Sequence, residues 1–267
     1  MIRLIFSDMD GTLLDEDGRL PAEFGDVYRR LRARGIRFAP ASGRQYASLA
    51  QTFAPWRDEL IFVAENGTMV MERGMELFSS PVERALALDV MRVGEELVGV
   101  RSVLCGKRQG YLRSADDAPT FRTELAKYVT QSEVVEDFAA VEDVPIKMSF
   151  FDISGRAAET ILPVMQTYAD RLQISLSSME WVDLYNCGVN KGVAARQIQK
   201  RLGITSDECV AFGDYENDLE LMDAVTHSFA MENALPEVKE CARYRAPSNR
   251  AHGVMVVCER ILAGELD

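Results

Sequence analysis

Short apolar runs alternate along this chain with stretches whose apolar residues recur every three or four positions. Runs at 2–7, 36–41, 60–64 and 209–212 are too short for helices and too continuously apolar for half-exposed strands, so they predict strands buried on both faces. Residues 21–34 predict a helix, with Phe24, Val27 and Leu31 on one face, Pro21 near its first turn and Gly35 just past its end. The segment 69–78 is interrupted by Arg73-Gly74 and predicts a hairpin. Alternation of strand and helix of this kind predicts a parallel sheet covered on both faces.

The pattern changes after Pro81. A long helix beginning at Val82 carries Leu86, Val90, Val93 and Leu97 on one face. Strand candidates at 100–104, 111–113, 146–153, 172–177 and 181–185 follow, with helices near 120–129 and 156–168. About a hundred residues of mixed α+β character is an ordinary domain size. After Lys191 the strand–helix alternation resumes, with Ala194, Ile198 and Leu202 on one helical face, a strand at 209–212 and a helix at 216–224. The expected organisation is a doubly wound α/β core from 1–81 and 187–267, with an α+β unit from 82–186 inserted into it. There is no internal repeat, low-complexity tract or long linker.

Composition narrows the class. With 267 residues, 47% hydrophobic and 27% charged, the chain has the make-up of a soluble globular protein able to bury a sizeable core. No stretch reaches the roughly 18 uninterrupted apolar residues of a membrane span, and no secretory leader precedes the first strand, so a cytoplasmic protein is expected. Five cysteines without a C-x-x-C pair argue against a disulfide framework or a zinc site. None begins a C-x5-R loop, and two histidines are too few for a His-rich metal site. A net charge of −12 with no basic stripe argues against nucleic acid as a partner. The same charge requires a local cation wherever a phosphorylated ligand is to bind.

The chemistry is concentrated where strands end. Asp8-Met9-Asp10-Gly11-Thr12-Leu13 follows the first apolar run, so two carboxylates emerge together: one positioned as a nucleophile, the other as a proton carrier. A calcium loop starting at Asp8 would need Gly at its sixth position and Glu at its twelfth, where this chain has Leu13 and Arg19. Ser42-Gly43-Arg44 ends the second run, and Gly213-Asp214-Tyr215-Glu216-Asn217-Asp218 ends the run at 209–212. Open α/β sheets bind ligands outside the carboxyl ends of their strands, so Asp8, Ser42 and Asp214 should converge on one pocket, with the inserted unit lying over it.

These segments, in this order and with Lys191 in Gly188-Val189-Asn190-Lys191-Gly192, resemble the four motifs of the haloacid dehalogenase-like phosphohydrolases. Glu65-Asn66-Gly67 and Met231-Glu232-Asn233-Ala234 make the Cof-type branch the nearest resemblance. The middle third shares that branch's layout rather than any motif. The resemblance implies a Rossmann-like core with a cap, and a Mg2+-dependent phosphatase acting on small phosphorylated metabolites such as sugar phosphates, flavin mononucleotide or pyridoxal phosphate. Asp8 is then the nucleophile that becomes an aspartyl phosphate, and Asp10 the acid and base. Mg2+ is held by Asp8, Asp214 and the carbonyl of Asp10, with Asp218 orienting them. Met9, Ser42, Gly43, Arg44, Lys191 and Asn217 hold the phosphate or the substrate. Cap residues Cys105, Lys107, Arg108, Met179 and Trp181 are candidates to face the substrate, and Asn66-Gly67 reads as a turn. A phosphomutase and a non-catalytic sensor of a phosphorylated ligand are the alternatives. The chain is expected to be a monomer or a homodimer.

Overall fold

The structure, a computed structural model, describes residues 1–266. The first third runs β1 (Leu4–Ser7), α1 (Phe24–Ala33), β2 (Arg37–Pro40), α2 (Tyr46–Thr52), β3 (Ile61–Ala64), β4 (Met69–Glu72) and β5 (Met75–Ser79). The middle third comprises α3 (Arg84–Glu95), β6 (Val100–Gly106), β7 (Gly110–Arg113), α4 (Pro119–Leu125), β8 (Ser132–Val135), β9 (Pro145–Asp152), α5 (Ala157–Thr160), α6 (Leu162–Met165), β10 (Leu172–Leu176) and β11 (Trp181–Asn186). The last third adds α7 (Lys191–Leu202), β12 (Cys209–Gly213), α8 (Leu219–Asp223), β13 (His227–Met231), α9 (Pro236–Cys241), β14 (Tyr244–Ala246) and α10 (Gly253–Leu262).

A parallel sheet in the order β14-β13-β12-β1-β2 forms the core. Its central strands are buried along their whole length, as continuous apolar sequence requires. The run at 60–64 is a strand, but it pairs antiparallel with β4 in a separate sheet, β3-β4-β5, and touches the parallel sheet through the single bridge Ala41–Val63. The hairpin is as expected, and Arg73 and Gly74 turn it at positive φ.

The inserted cap carries a second sheet, β10-β11-β9-β6-β7-β8, antiparallel except for β7 with β8. Its strands alternate with period two. Leu104, Met148, Phe150, Val182 and Leu184 belong to one cluster, with α3 and the 157–168 helical segment. The opposite face carries Val103, Cys105, Phe151 and Trp181, and the same alternation places Lys147, Ser149 and Asp183 on it, toward the core. The helix expected at 156–168 is broken into α5, α6 and a 3-10 turn, with Pro163 near the start of α6. The helix expected at 120–129 ends at Leu125, and the one expected at 216–224 begins as a 3-10 turn.

The chain crosses between core and cap twice, and the crossings are clasped together. Asn186 Nδ2 donates to Ser80 Oγ at 3.0 Å and to the Pro81 carbonyl at 2.6 Å. On another side, the segment after α4 rests on the start of α2. Gln45 N–H donates to the Tyr128 carbonyl at 2.8 Å, and the Gln45 side chain bonds both main-chain groups of Gln131. No helix among the described residues is long and apolar enough to cross a membrane.

Candidate active site

β1, β2 and β12 run parallel and end side by side, so the segments that follow them meet. Asp8, Asp10, Ser42, Gly43, Arg44, Asp214 and Asn217 all line one cleft of about 240 Å³ between core and cap. Lys191 lies beneath it, fully buried at the first turn of α7, whose cap is Asn190. Gly11 is fixed by the site: it has φ +75°, and a Cβ there would fall 2.3 Å from Asp214 Oδ2.

Asp8, Asp214 and Asp218 bring carboxylate oxygens within 4.8 Å of one another. Lys191 Nζ donates to Asp8 Oδ1 at 2.6 Å and to Asp218 Oδ1 at 2.7 Å. Asp218 Oδ2 accepts the main-chain N–H groups of Asp214, at 2.9 Å, and of Tyr215. Both Asp218 oxygens are therefore engaged, and its side chain is buried, not solvated. Thr12 Oγ1 donates to Asp214 Oδ1 at 2.5 Å.

One ammonium does not balance three carboxylates, two of them buried and that of Asp214 half-buried. Burial works against the charge on Lys191, but Asp218 and Asp8 outweigh it and hold the amine above its ordinary range. Burial raises Asp8 well above the usual carboxylate value; Lys191 opposes this, while Asp218, Asp214 and Asp10 add to it. Asp214 is pushed up to about 7 by burial and by Asp218, against the Thr12 hydrogen bond. A donor set made only of oxygen, with surplus negative charge, fits a small hard dication, which would return these acids to their ionised state.

Asp10 stands apart from the trio. Its carboxylate receives both arms of the Arg44 fork, at 2.8 and 2.5 Å, and Arg44 also lies over the Tyr128 ring of the cap, 5.5 Å from its centroid. Met9 is completely buried behind the site. Asn217 Nδ2 donates to Asn66 Oδ1 at 3.0 Å.

Of the five cap residues expected to face substrate, Trp181 alone lines the cleft. Cys105 is buried beside Ser149, Lys107 pairs with Glu76, Arg108 with Asp143, and Met179 is exposed. The cap instead contributes Val103, Leu125, Tyr128, Val129 and Trp181 as an apolar wall, and Lys147, Ser149, Ser177, Ser178 and Asp183 as a polar one. Sequence reading missed all but Trp181. The period-two alternation of β9 and β11 was the available signal, because a Lys or Asp flanked by buried positions on a central strand must have a partner.

The sequence profile of the haloacid dehalogenase-like hydrolases matches residues 5–257. The chain is 35% identical, over 99% of its length and 97% of the relative's, to a 5-amino-6-(5-phospho-D-ribitylamino)uracil phosphatase of Escherichia coli. It is 27% identical, over 90% of this chain and 87% of the relative, to an HMP-PP phosphatase of Klebsiella pneumoniae. A crystal structure from Streptococcus mutans superposes with a TM-score of 0.90 at 29% identity, covering 98% of this chain and all of the other. The convergence of the strand-end acids and these similarities lead to one conclusion: the chain belongs to the haloacid dehalogenase-like hydrolases and is a phosphoric monoester hydrolase.

Proposed function

We propose that this enzyme is a Mg2+-dependent phosphatase that cleaves small phosphorylated metabolites through an aspartyl phosphate on Asp8. The observation that carries the reading is the buried Asp8–Lys191–Asp218–Asp214 cluster opening on a cleft whose far wall is the cap. Asp8, Asp214 and the Asp10 carbonyl would hold the magnesium ion. When bound it supplies neutralising charge and polarises the phosphoryl group.

Asp8, held through one oxygen by Lys191, attacks phosphorus in line. The bond to the leaving oxygen breaks and Asp10 delivers a proton to that oxygen. Asp10 then takes a proton from water, whose oxygen attacks the phosphoryl group and frees Asp8 and orthophosphate. The Asp10–Arg44 fork sets a condition on this sequence. An arriving phosphate competes for Arg44, and Asp10 released from the guanidinium can carry its proton. Ser42, the main chain at Met9 and Gly43, Lys191 and Asn217 stabilise the oxygens on which charge spreads.

The cap wall of Trp181, Tyr128, Val103, Leu125 and Val129 favours a leaving group that carries a flat ring, with the hydroxyl oxygens of Ser149, Ser177 and Ser178, whose hydrogens go to Asp183 and Glu180, left to accept from its polar edge. The Escherichia coli relative's named substrate joins a pyrimidine ring to a phosphorylated ribityl chain, and flavin mononucleotide and pyridoxal phosphate share the ring-plus-phosphate plan. The deciding experiment is a phosphate-release screen with magnesium over ring-bearing and ringless metabolite phosphates. Release from ring-bearing esters is expected, and its absence from the whole panel overturns the reading. Phosphate accumulating without any bisphosphate activator separates hydrolysis from a mutase.

A further inference from the structure

A second buried charge cluster lies between core and cap, behind the catalytic one. Lys147 of β9 is 4% exposed, and its Nζ meets Glu65 Oε2 at 2.6 Å, the Gly43 carbonyl at 2.8 Å and Asp183 Oδ2 at 3.6 Å. Asp183 of β11 also accepts from Ser149 Oγ at 2.6 Å, Ser177 Oγ at 2.8 Å and Asn66 Nδ2 at 2.8 Å. Asn66 accepts in turn from Asn217 on the acidic loop. Two cap side chains thus reach two catalytic loops, Lys147 directly at Gly43 and Asp183 through Asn66.

The turn between them is held under backbone strain. Glu65 and Asn66 have φ of +51° and +56°, a region that non-glycine residues avoid and that persists where the surroundings over-determine it. The surroundings here do so. Glu65 N–H donates to the Arg44 carbonyl and Asn66 N–H to the Ser42 carbonyl, each at 3.0 Å. Gly67 at φ +91° presses on the residue before Lys191, where a Cβ would fall 2.4 Å from the Asn190 carbonyl oxygen.

We propose that Lys147 and Asp183 are positioning residues that complete the phosphate-binding loops only when the cap is docked, so that cap closure and assembly of the catalytic site are one event. This rests on the phosphatase reading. Lys147 Nζ donates to the Gly43 carbonyl and is ion-paired with Glu65 and Asp183, so the contacts it makes are with loop and cap oxygens. Its effect therefore reaches the reaction through Gly43.

Lys147→Met and the shape-preserving Asp183→Asn test this, assayed on p-nitrophenyl phosphate and on a ring-bearing metabolite phosphate, with amide hydrogen exchange of the 42–44 and 65–66 segments as a readout free of turnover. A loop displaced by an ångström lowers kcat about ten- to hundredfold. That loss should be equal for both esters, with KM little changed, exchange at 42–44 and 65–66 faster, and Lys147→Arg recovering part of the rate. Unchanged kcat and exchange in folded protein would overturn the proposal, as would a loss confined to one ester, which would make Lys147 a substrate contact. If Lys147→Met does not fold, Asp183→Asn decides by the same criteria. A wild-type enzyme that releases no phosphate from any ester refutes the phosphatase reading, and the exchange measurement still judges the loop coupling.

Discussion

Asp214→Asn offers a test of the surplus-charge argument that does not depend on knowing the substrate. In metal-free protein Asp214 is raised from 3.8 to about 7, by burial first and then by Asp218. The folded state therefore holds this proton more tightly than the unfolded state does. The stabilising contribution is complete below the unfolded value and disappears as pH rises through about 7. A shift of about three units corresponds to about 4 kcal/mol, and water at the open side of the cleft screens part of it, leaving roughly 2–4 kcal/mol.

Asn has no charge to bury and keeps an oxygen to accept from Thr12. With chelator present at about pH 8.5, the variant should melt above the wild type by roughly 4–16 °C, since each kcal/mol moves a chain of this size by about 2–4 °C. Near pH 5 the gap should narrow, and it should close only below about 3.8, where the acid is protonated in both the folded and the unfolded state. Added magnesium should raise the wild-type midpoint at the higher pH far more than the variant's. A gap that is the same at both pH values, or a wild type more stable than the variant in alkaline chelator, would refute the reasoning.

Other expectations concern turnover. Asp8→Asn should abolish phosphate release while leaving the circular dichroism spectrum intact, since an amide does not attack phosphorus; retained activity would move the nucleophile elsewhere. Asp10→Asn keeps the shape that faces Arg44 and removes the proton carrier, so the rate should fall about a hundred- to ten-thousandfold, measured at saturating substrate. Trp181 packs 5.0 Å from Phe151 and 5.7 Å from Tyr128. Trp181→Ala should raise KM for ring-bearing esters about three- to tenfold and leave ringless esters unaffected; an equal effect on both would remove the ring-stacking argument.

The strand ends were legible because burial on both faces forces continuous apolar sequence, so Asp8, Ser42 and Asp214 stand out as polar residues where such runs stop. Lys191 was legible through the Gly188-Val189-Asn190-Lys191-Gly192 motif that carries the resemblance. Lys147 and Asp183 carried only the period-two alternation of β9 and β11 as a signal, and alternation alone does not say which face meets the core. Tyr128 lies in the turn after α4, and no local pattern announces its contact with Arg44. The run at 60–64 was read as joining the main sheet because local sequence fixes a strand but not its partner. The segment at 156–168 kept a helical face, and Pro163 was the overlooked sign that it would not stay continuous.

The clasp that Asn186 forms across the two core–cap crossings has a practical consequence for kinetics. With both connections tied at one place, separation of the cap becomes rotation about a single pivot, and Cys187, exposed and next to the clasp, sits on that pivot. Among the described cysteines Cys105, Cys209 and Cys258 are buried, so once the exposed Cys241 is replaced by Ser, a fluorophore attached to the native thiol of Cys187 would report the gate in real time.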